Sequence, residues 1–213
     1  MHYNDNQNNN SFVGVYFKES DLSTIKCGNS GIELIPINAD IASSDSVANM
    51  FHLFGNTEVI KKYLPSMDFS SQLKTQEFLM KSYLGTKMGG KITYFITSGG
   101  MPLGMIFLTT PGVNKLLINY CHWTMDFFLF TEFEGKGIMG ISLARMLKFM
   151  KEQLEIDEVH FMVDADNQRC ISLLENMGVM DELDNAGWNN TDGGSVPRVF
   201  VCPLKDISFQ KAR

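Results

Sequence analysis

Two short segments of this 213-residue chain combine residue types and spacings that could do chemistry. The first is Glu134-Gly135-Lys136-Gly137-Ile138-Met139, which follows the apolar run Met125–Phe130 and the link Thr131–Phe133 and leads straight into a helical pattern. Such a turn leaves several backbone N–H groups unpaired and pointing one way, and the helix behind it adds partial positive charge at its N-terminus. Together they make a seat for a phosphate or pyrophosphate, so the expected ligand carries one. The second segment is Asn167-Gln168-Arg169-Cys170, followed by Leu174-Glu175-Asn176-Met177-Gly178-Val179. A thiol at Cys170 is either a small buried side chain or a proton-exchanging and disulfide-forming group. Three further side chains could act as a base: Asp126, His122 and Glu132. His122, beside Trp123, reads more readily as structural or surface than as a base. Asp126, inside an apolar strand, stands either on an exposed face or as a buried carboxylate with a purpose.

The elements that must position these residues follow from periodicity and punctuation. Ile32–Ile37 reads as a first strand, and Pro36 marks an edge or an end. Asp45–Phe54 carries apolar residues at helical spacing and ends at Gly55-Asn56; Thr57–Tyr63 is a short helix stopped by Pro65. Ser70–Leu84 is a longer helix closed by Gly85. Lys91–Thr97 and Leu103–Leu108 form a hairpin across Ser98–Pro102. Leu116–Cys121 and Trp123–Phe130 supply further strand. Met139–Leu154 is helical and apolar almost all round, with a polar stripe of Arg145, Lys148 and Glu152, so it is largely buried. Val159–Val163 is a buried strand, a short helix ends at Gly178, and Pro197–Pro203 is the last strand. Asn185–Ser195 is a loop around Trp188. This order predicts an α/β or α+β domain with a mixed sheet. Residues 1–11 are Asn-rich and aperiodic, which predicts a flexible tail before one domain over 12–213.

Composition narrows the partners. A net charge of -6 lacks the basic footprint of a nucleic-acid-binding surface. No apolar run approaches the ~20 residues that a membrane span needs. Cys27, Cys121, Cys170 and Cys202 include no CxxC pair, which predicts reduced thiols in a cytoplasmic protein and no zinc cage. The first residues show no signal-peptide pattern.

The two segments, with strand Val159–Val163 between them, resemble the GNAT superfamily of acetyl-CoA-dependent N-acetyltransferases over roughly residues 32–204. The branch most similar includes the ribosomal-protein N-terminal acetyltransferases. Glu134–Met139 stands at the superfamily's pyrophosphate loop, Gln/Arg-x-x-Gly-x-Gly/Ala, and Asn167–Cys170 with Leu174–Val179 resembles this branch's Asn-x-x-Ser…Leu-x-x-x-Gly-Phe/Val. The departures are Glu134 for Gln or Arg, Met139 for Gly or Ala, and Cys170 for Ser. Lys136 is expected to offset the Glu134 charge, and Gly140 to relieve crowding at Met139. The tyrosine that many members use as general acid would fall at Leu174, so that route is absent.

The resemblance implies a mixed, mostly antiparallel central sheet with flanking helices and a transfer of acetyl from acetyl-CoA to a primary amine without a metal. The pyrophosphate would sit on the N–H groups of Gly135, Lys136, Gly137, Ile138 and Met139. The pantetheine arm would lie along Leu129, Phe130 and Thr131, where superfamily members splay two strands, with Asn167 and Cys170 on the other side. The amine, on a small molecule or a protein N-terminus, would attack directly in a ternary complex. Deprotonating a lysine-type amine (pKa ~10.4) at pH 7 costs roughly 4–5 kcal/mol, an α-amine (~7.7–8) only about 1. With no strong base evident, an α-amine or arylamine is favoured, assisted by Asp126, His122 or Glu132 through water. Cys170 would protonate the leaving thiolate, and could form a mixed disulfide with coenzyme A under oxidation.

Two other classes fit some of the same residues. Gly135-x-Gly137-x-x-Gly140 matches the dinucleotide fingerprint literally, with Asp164 and Asp166 where a ribose-binding carboxylate could stand. Against an oxidoreductase, Thr131–Glu134 separate strand from turn, and no further βαβ unit follows Val159–Val163. The third class is a non-catalytic acyl-CoA-binding protein.

Overall fold

A computed structural model describes residues 17–111, 122–182 and 197–205. The tail, the strand at Leu116–Cys121 with its thiol, and the Asn185–Ser195 loop with Trp188 lie outside the described residues. Eight described strands form one sheet: β1 Ile25–Lys26, β2 Ile32–Pro36, β3 Lys91–Ser98, β4 Met101–Thr109, β5 Trp123–Leu129, β6 Glu158–Val163, β7 Met180–Glu182 and β8 Arg198–Pro203. Their order is β1-β2-β3-β4-β5-β6-β8-β7. Every pairing is antiparallel except β5 with β6, so the expected mixed, mostly antiparallel sheet is what forms.

Among the described residues six α-helices flank the sheet: α1 Ala39–Ala42, α2 Asp45–Gly55, α3 Glu58–Tyr63, α4 Gln72–Lys87, α5 Ile138–Gln153 and α6 Gln168–Asn176. Strand alternation sends side chains to two cores. On one face Ile92, Tyr94, Ile96, Ile106, Leu108 and Met125 pack with Leu143 and Met146 of α5 and Leu174 of α6. On the other, Phe95, Met105, Phe107, Phe128 and Phe130 meet Phe51 of α2 and Leu79 of α4. Phe51 is ringed by edge-on contacts, with centroids 4.9 Å from Phe130 and 5.3 Å from Phe95. Both faces are thus covered, and β5, which bears the candidate site, runs between the two cores.

β1, α1 and β7 are absent from the sequence reading. β1 and β7 have two and three residues, too few to show a period, and only pairing with β2 and β8 defines them. Gly104 fixes how closely β4 and β5 approach: a Cβ there would stand 2.1 Å from the Phe128 carbonyl oxygen and 2.8 Å from Leu129 Cα. Backbone atoms inside a paired sheet cannot yield cheaply. Gly104→Ala is therefore expected to lower the calorimetric melting temperature by roughly 5 °C, the effect of ~1–3 kcal/mol of overpacking.

Candidate active site: a splayed strand pair and an uncapped helix

Among the described residues β5 and β6 pair only at Trp123↔Val159 and Thr124↔His160. Beyond that point β5 follows β4 through Leu129 while β6 follows β8 through Val163, so the two strands part. The Phe130 N–H donates to the Leu103 carbonyl at 2.8 Å, on the β4 side. Alternation then turns the N–H groups of Asp126 and Phe128 toward β4, and those of Phe127 and Leu129 toward the opening. An extended amide-bearing chain placed there would find strand-like partners. Phe130 offers it none, because its carbonyl is also taken, by the Phe133 N–H at 2.9 Å.

At the open end the chain makes a 3₁₀ turn over Thr131–Phe133 and enters the glycine turn. Gly135 and Gly137 have φ of +72° and +73°, a region that side chains other than Asn and Asp rarely tolerate. A Cβ on either would meet nothing within 4 Å, so the space over the turn is open. Asn38, Ser44, Thr57, Ser71 and Asn167 cap five of the six described α-helices with a side-chain oxygen. α5 begins on Gly137 without such a cap and with no acidic residue in its first turn. No protein acceptor among the described residues meets the N–H groups of Gly135–Gly140. Six donors and the positive end of a 16-residue helix therefore face one open space. Glu134 does not oppose this, because its carboxylate pairs with the Arg169 guanidinium. The compensation expected from Lys136 comes instead from Arg169; the Lys136 ammonium sits over the Phe133 ring at 5.4 Å.

Asn167 and Cys170 start α6. The Asn167 Oδ1 accepts the Cys170 N–H at 3.2 Å, which leaves the amide NH₂ to donate elsewhere. Cys170 is half-buried on the α5 side of the sheet. Burial, followed by the charge of Asp126, pushes its thiol up to about 12, so it is protonated at neutral pH. Asp126 is half-buried on the opposite face, in the same cross-strand row as Phe107. Burial raises its carboxyl above the ordinary range, and Lys91 opposes that rise. Burial likewise lowers the Lys91 ammonium, which lies 4.3 Å from the Phe107 ring centre, against the pull of Asp126. Lys91 was not foreseen as part of the site. Glu132 is exposed on the 3₁₀ turn. His122 stands at the start of β5, a strand length of about 20 Å from the glycine turn. The fold thus brings Asp126 and Cys170 to the opening from opposite faces and keeps His122 away. One tie crosses from the α1–α4 layer: Lys62 of α3 pairs with Asp166, just before α6, at 2.5 Å.

The model of the acetyltransferase (GNAT) domain family matches residues 40–180. The chain belongs to the GNAT acetyltransferases. As a member of that family it is an acetyl-CoA-dependent N-acetyltransferase, and acetyl-CoA is its co-substrate. A sheet with a single parallel pairing does not favour the dinucleotide alternative, which requires successive parallel strands. Similar solved structures include RimL, a ribosomal L7/L12 α-N-protein acetyltransferase, joined to coenzyme A by a cysteine disulfide: TM-score 0.66, 18% identity, 85% of this chain and 98% of that one. The acetyltransferase from Salmonella typhimurium that modifies the N-terminal serine of L7/L12 gives TM-score 0.65 at 18% identity, over 85% of this GNAT chain and 99% of its own. The microcin C7 self-immunity acetyltransferase MccE, with acetyl-CoA and AMP, gives 0.61 at 15% identity, over 82% and 93%. No curated protein sequence matches the chain. No described helix is long and apolar enough to cross a membrane.

Proposed function

We propose that this GNAT enzyme acetylates an α-amine at a peptide or protein N-terminus, by direct attack within a ternary complex. The carrying observation is the splay of β5 from β6 ending at six unpaired N–H groups. The pyrophosphate rests on Gly135, Lys136, Gly137, Ile138 and Met139, and the pantetheine arm lies along Leu129–Thr131, opposite Asn167. The inward-facing N–H groups of β5 polarise the thioester carbonyl as an oxyanion hole. Asp126, reached from the α1–α4 face, takes a proton from the incoming ammonium through water. The amine nitrogen then attacks the carbonyl carbon, the C–S bond breaks, and the surplus proton of that nitrogen passes through solvent to the departing coenzyme A thiolate, giving the free thiol. An α-amine suits this site because its deprotonation costs only about 1 kcal/mol at pH 7. The RimL likeness supports the same acceptor class. The helices over Gly55–Leu84 and the Asn185–Ser195 segment with Trp188 would select among such acceptors. A cytoplasmic setting, with its acetyl-CoA, agrees with the free thiols of Cys27, Cys170 and Cys202.

Cys170 faces the leaving sulfur. Its thiol at about 12 against an ordinary value of ~8.5 makes full proton transfer to the thiolate uphill, so it serves by donating an S–H hydrogen bond. Cys170→Ala is expected to lower kcat about fivefold to tenfold and to abolish any mixed disulfide with oxidised coenzyme A, read by mass spectrometry. Unchanged turnover would remove Cys170 from the mechanism.

Calorimetric titration with acetyl-CoA, with NADH and NADPH in parallel, tests the cofactor assignment; only acetyl-CoA is expected to bind. Thiol release is then compared for a peptide with a free α-amine and for an Nα-blocked peptide carrying lysine. Turnover of the blocked peptide alone would overturn the acceptor class.

A further inference from the structure

His122, Glu158 and His160 meet at the closed end of the β5–β6 opening, far from the glycine turn. One ligand atom from each lies within 4.8 Å of the others. The Glu158 Oε1 is 3.2 Å from His122 Nδ1 and 2.5 Å from His160 Nε2, so one carboxylate oxygen serves both rings. We propose that these three side chains bind a divalent d-block cation of the zinc class, with solvent completing the coordination.

The donor set suits that ion. Two imidazoles and one carboxylate with an open fourth position is a common zinc arrangement. Tetrahedral zinc with bonds of about 2.0–2.2 Å sets ligand atoms about 3.3–3.5 Å apart. The His122–Glu158 edge is already close to this, while the His160–Glu158 edge must widen. The rings are stacked, with centroids 4.2 Å apart and planes at 10°, so one must tilt before both nitrogens converge. His122 can do so, since its side chain is 46% exposed. His160 is buried and fixed by pairing of β6 on both sides.

The surroundings favour a cation as consistently as the other end of α5 favours an anion. α5 ends at Gln153, and the negative end of its dipole faces a pocket of about 230 Å³ lined by His122, Trp123, Glu155, Asp157 and Glu158. Asp157 is matched by Lys205 at 2.9 Å. Glu155 takes φ +53°, uncommon for a residue with a side chain, where the chain turns from α5 into β6 along the pocket wall. Acyl transfer needs no metal at this distance. The ion would instead clamp the two described residue pairs that join β5 to β6, since His160 is the partner of Thr124 and His122 precedes Trp123.

The test uses the full chain stripped with EDTA and titrated with ZnCl₂ by calorimetry, with Co²⁺ visible absorption as a geometric reporter. One equivalent is expected to bind, with the strong visible bands of tetrahedral cobalt. Zinc at a hundredfold excess over Kd should raise the melting temperature by roughly 5–10 °C. His122→Ala and Glu158→Gln, both at partly exposed side chains, should each weaken zinc about tenfold to a hundredfold; His2→Ala, in the tail, should leave it unchanged. Absence of zinc binding would overturn the proposal, as would binding that survives in both His122→Ala and Glu158→Gln.

Discussion

Gly137→Asp is expected to weaken acetyl-CoA binding about a hundredfold, and Gly137→Asn less than about tenfold, with similar melting temperatures for the two variants. Asn and Asp are the side chains best able to occupy the φ of +73° found here, so the pair separates charge from backbone strain. A Cβ at Gly137 meets open space, and no neighbour is displaced. Either side chain can turn back onto the first N–H groups of α5 and compete for them, as cap residues do. Only aspartate adds a negative charge beside the bound phosphates. At about 5 Å and an effective dielectric of ~20 that repulsion is roughly 3 kcal/mol, near two orders of magnitude in affinity. Calorimetric titration with acetyl-CoA reads the difference. Equal affinities in the two variants would mean that the phosphates do not sit on this helix end.

The phosphate seat was legible because its physics is local. Gly135, Gly137 and the helix that follows are adjacent in sequence, and the positive φ values are what glycine at those positions foretells. The largely buried helix α5 and the hairpin of β3 and β4 were legible for the same reason. The splay was expected only from the family resemblance. Nothing within Met125–Leu129 says that β6 will leave after two pairs; that depends on where α5 returns the chain and on β8 holding β6. Lys91 looked like the polar start of a strand, and only the stacking of β4 between β3 and β5 brings it to bear on Asp126. Arg169 neutralises Glu134 from thirty-five positions away, a pairing no local period could show. His122 and His160 are likewise distant in the chain, and their stacking exists only because β5 and β6 run parallel at that point.

Asp126→Asn should be slower and, at neutral pH, more stable. Burial raises the Asp126 carboxyl, Lys91 of β3 pulls it back, and the Cys170 thiol of α6, protonated at neutral pH, adds no charge. A base must be ionised, so kcat/KM is expected to rise with pH through this raised value and then to level. Asparagine cannot take the proton; kcat should fall about a hundredfold or more, and that acid limb should vanish. Lys91→Met removes the charge that holds Asp126 down, so the limb should move to higher pH with the plateau retained. The stability change has the opposite sense. A carboxyl whose folded value is raised keeps its proton longer in the native than in the unfolded chain. That contribution is complete below the unfolded value of ~3.9 and is lost as pH rises through the folded value. Wild-type protein loses it progressively above that unfolded value, whereas Asp126→Asn has no charge to bury. The variant should therefore melt higher at pH 7, with the gap closing as pH falls toward about 4. Retained kcat in Asp126→Asn would mean that the acceptor amine arrives already neutral. A melting temperature lowered at pH 7 would mean that the carboxylate is held by contacts that offset its burial.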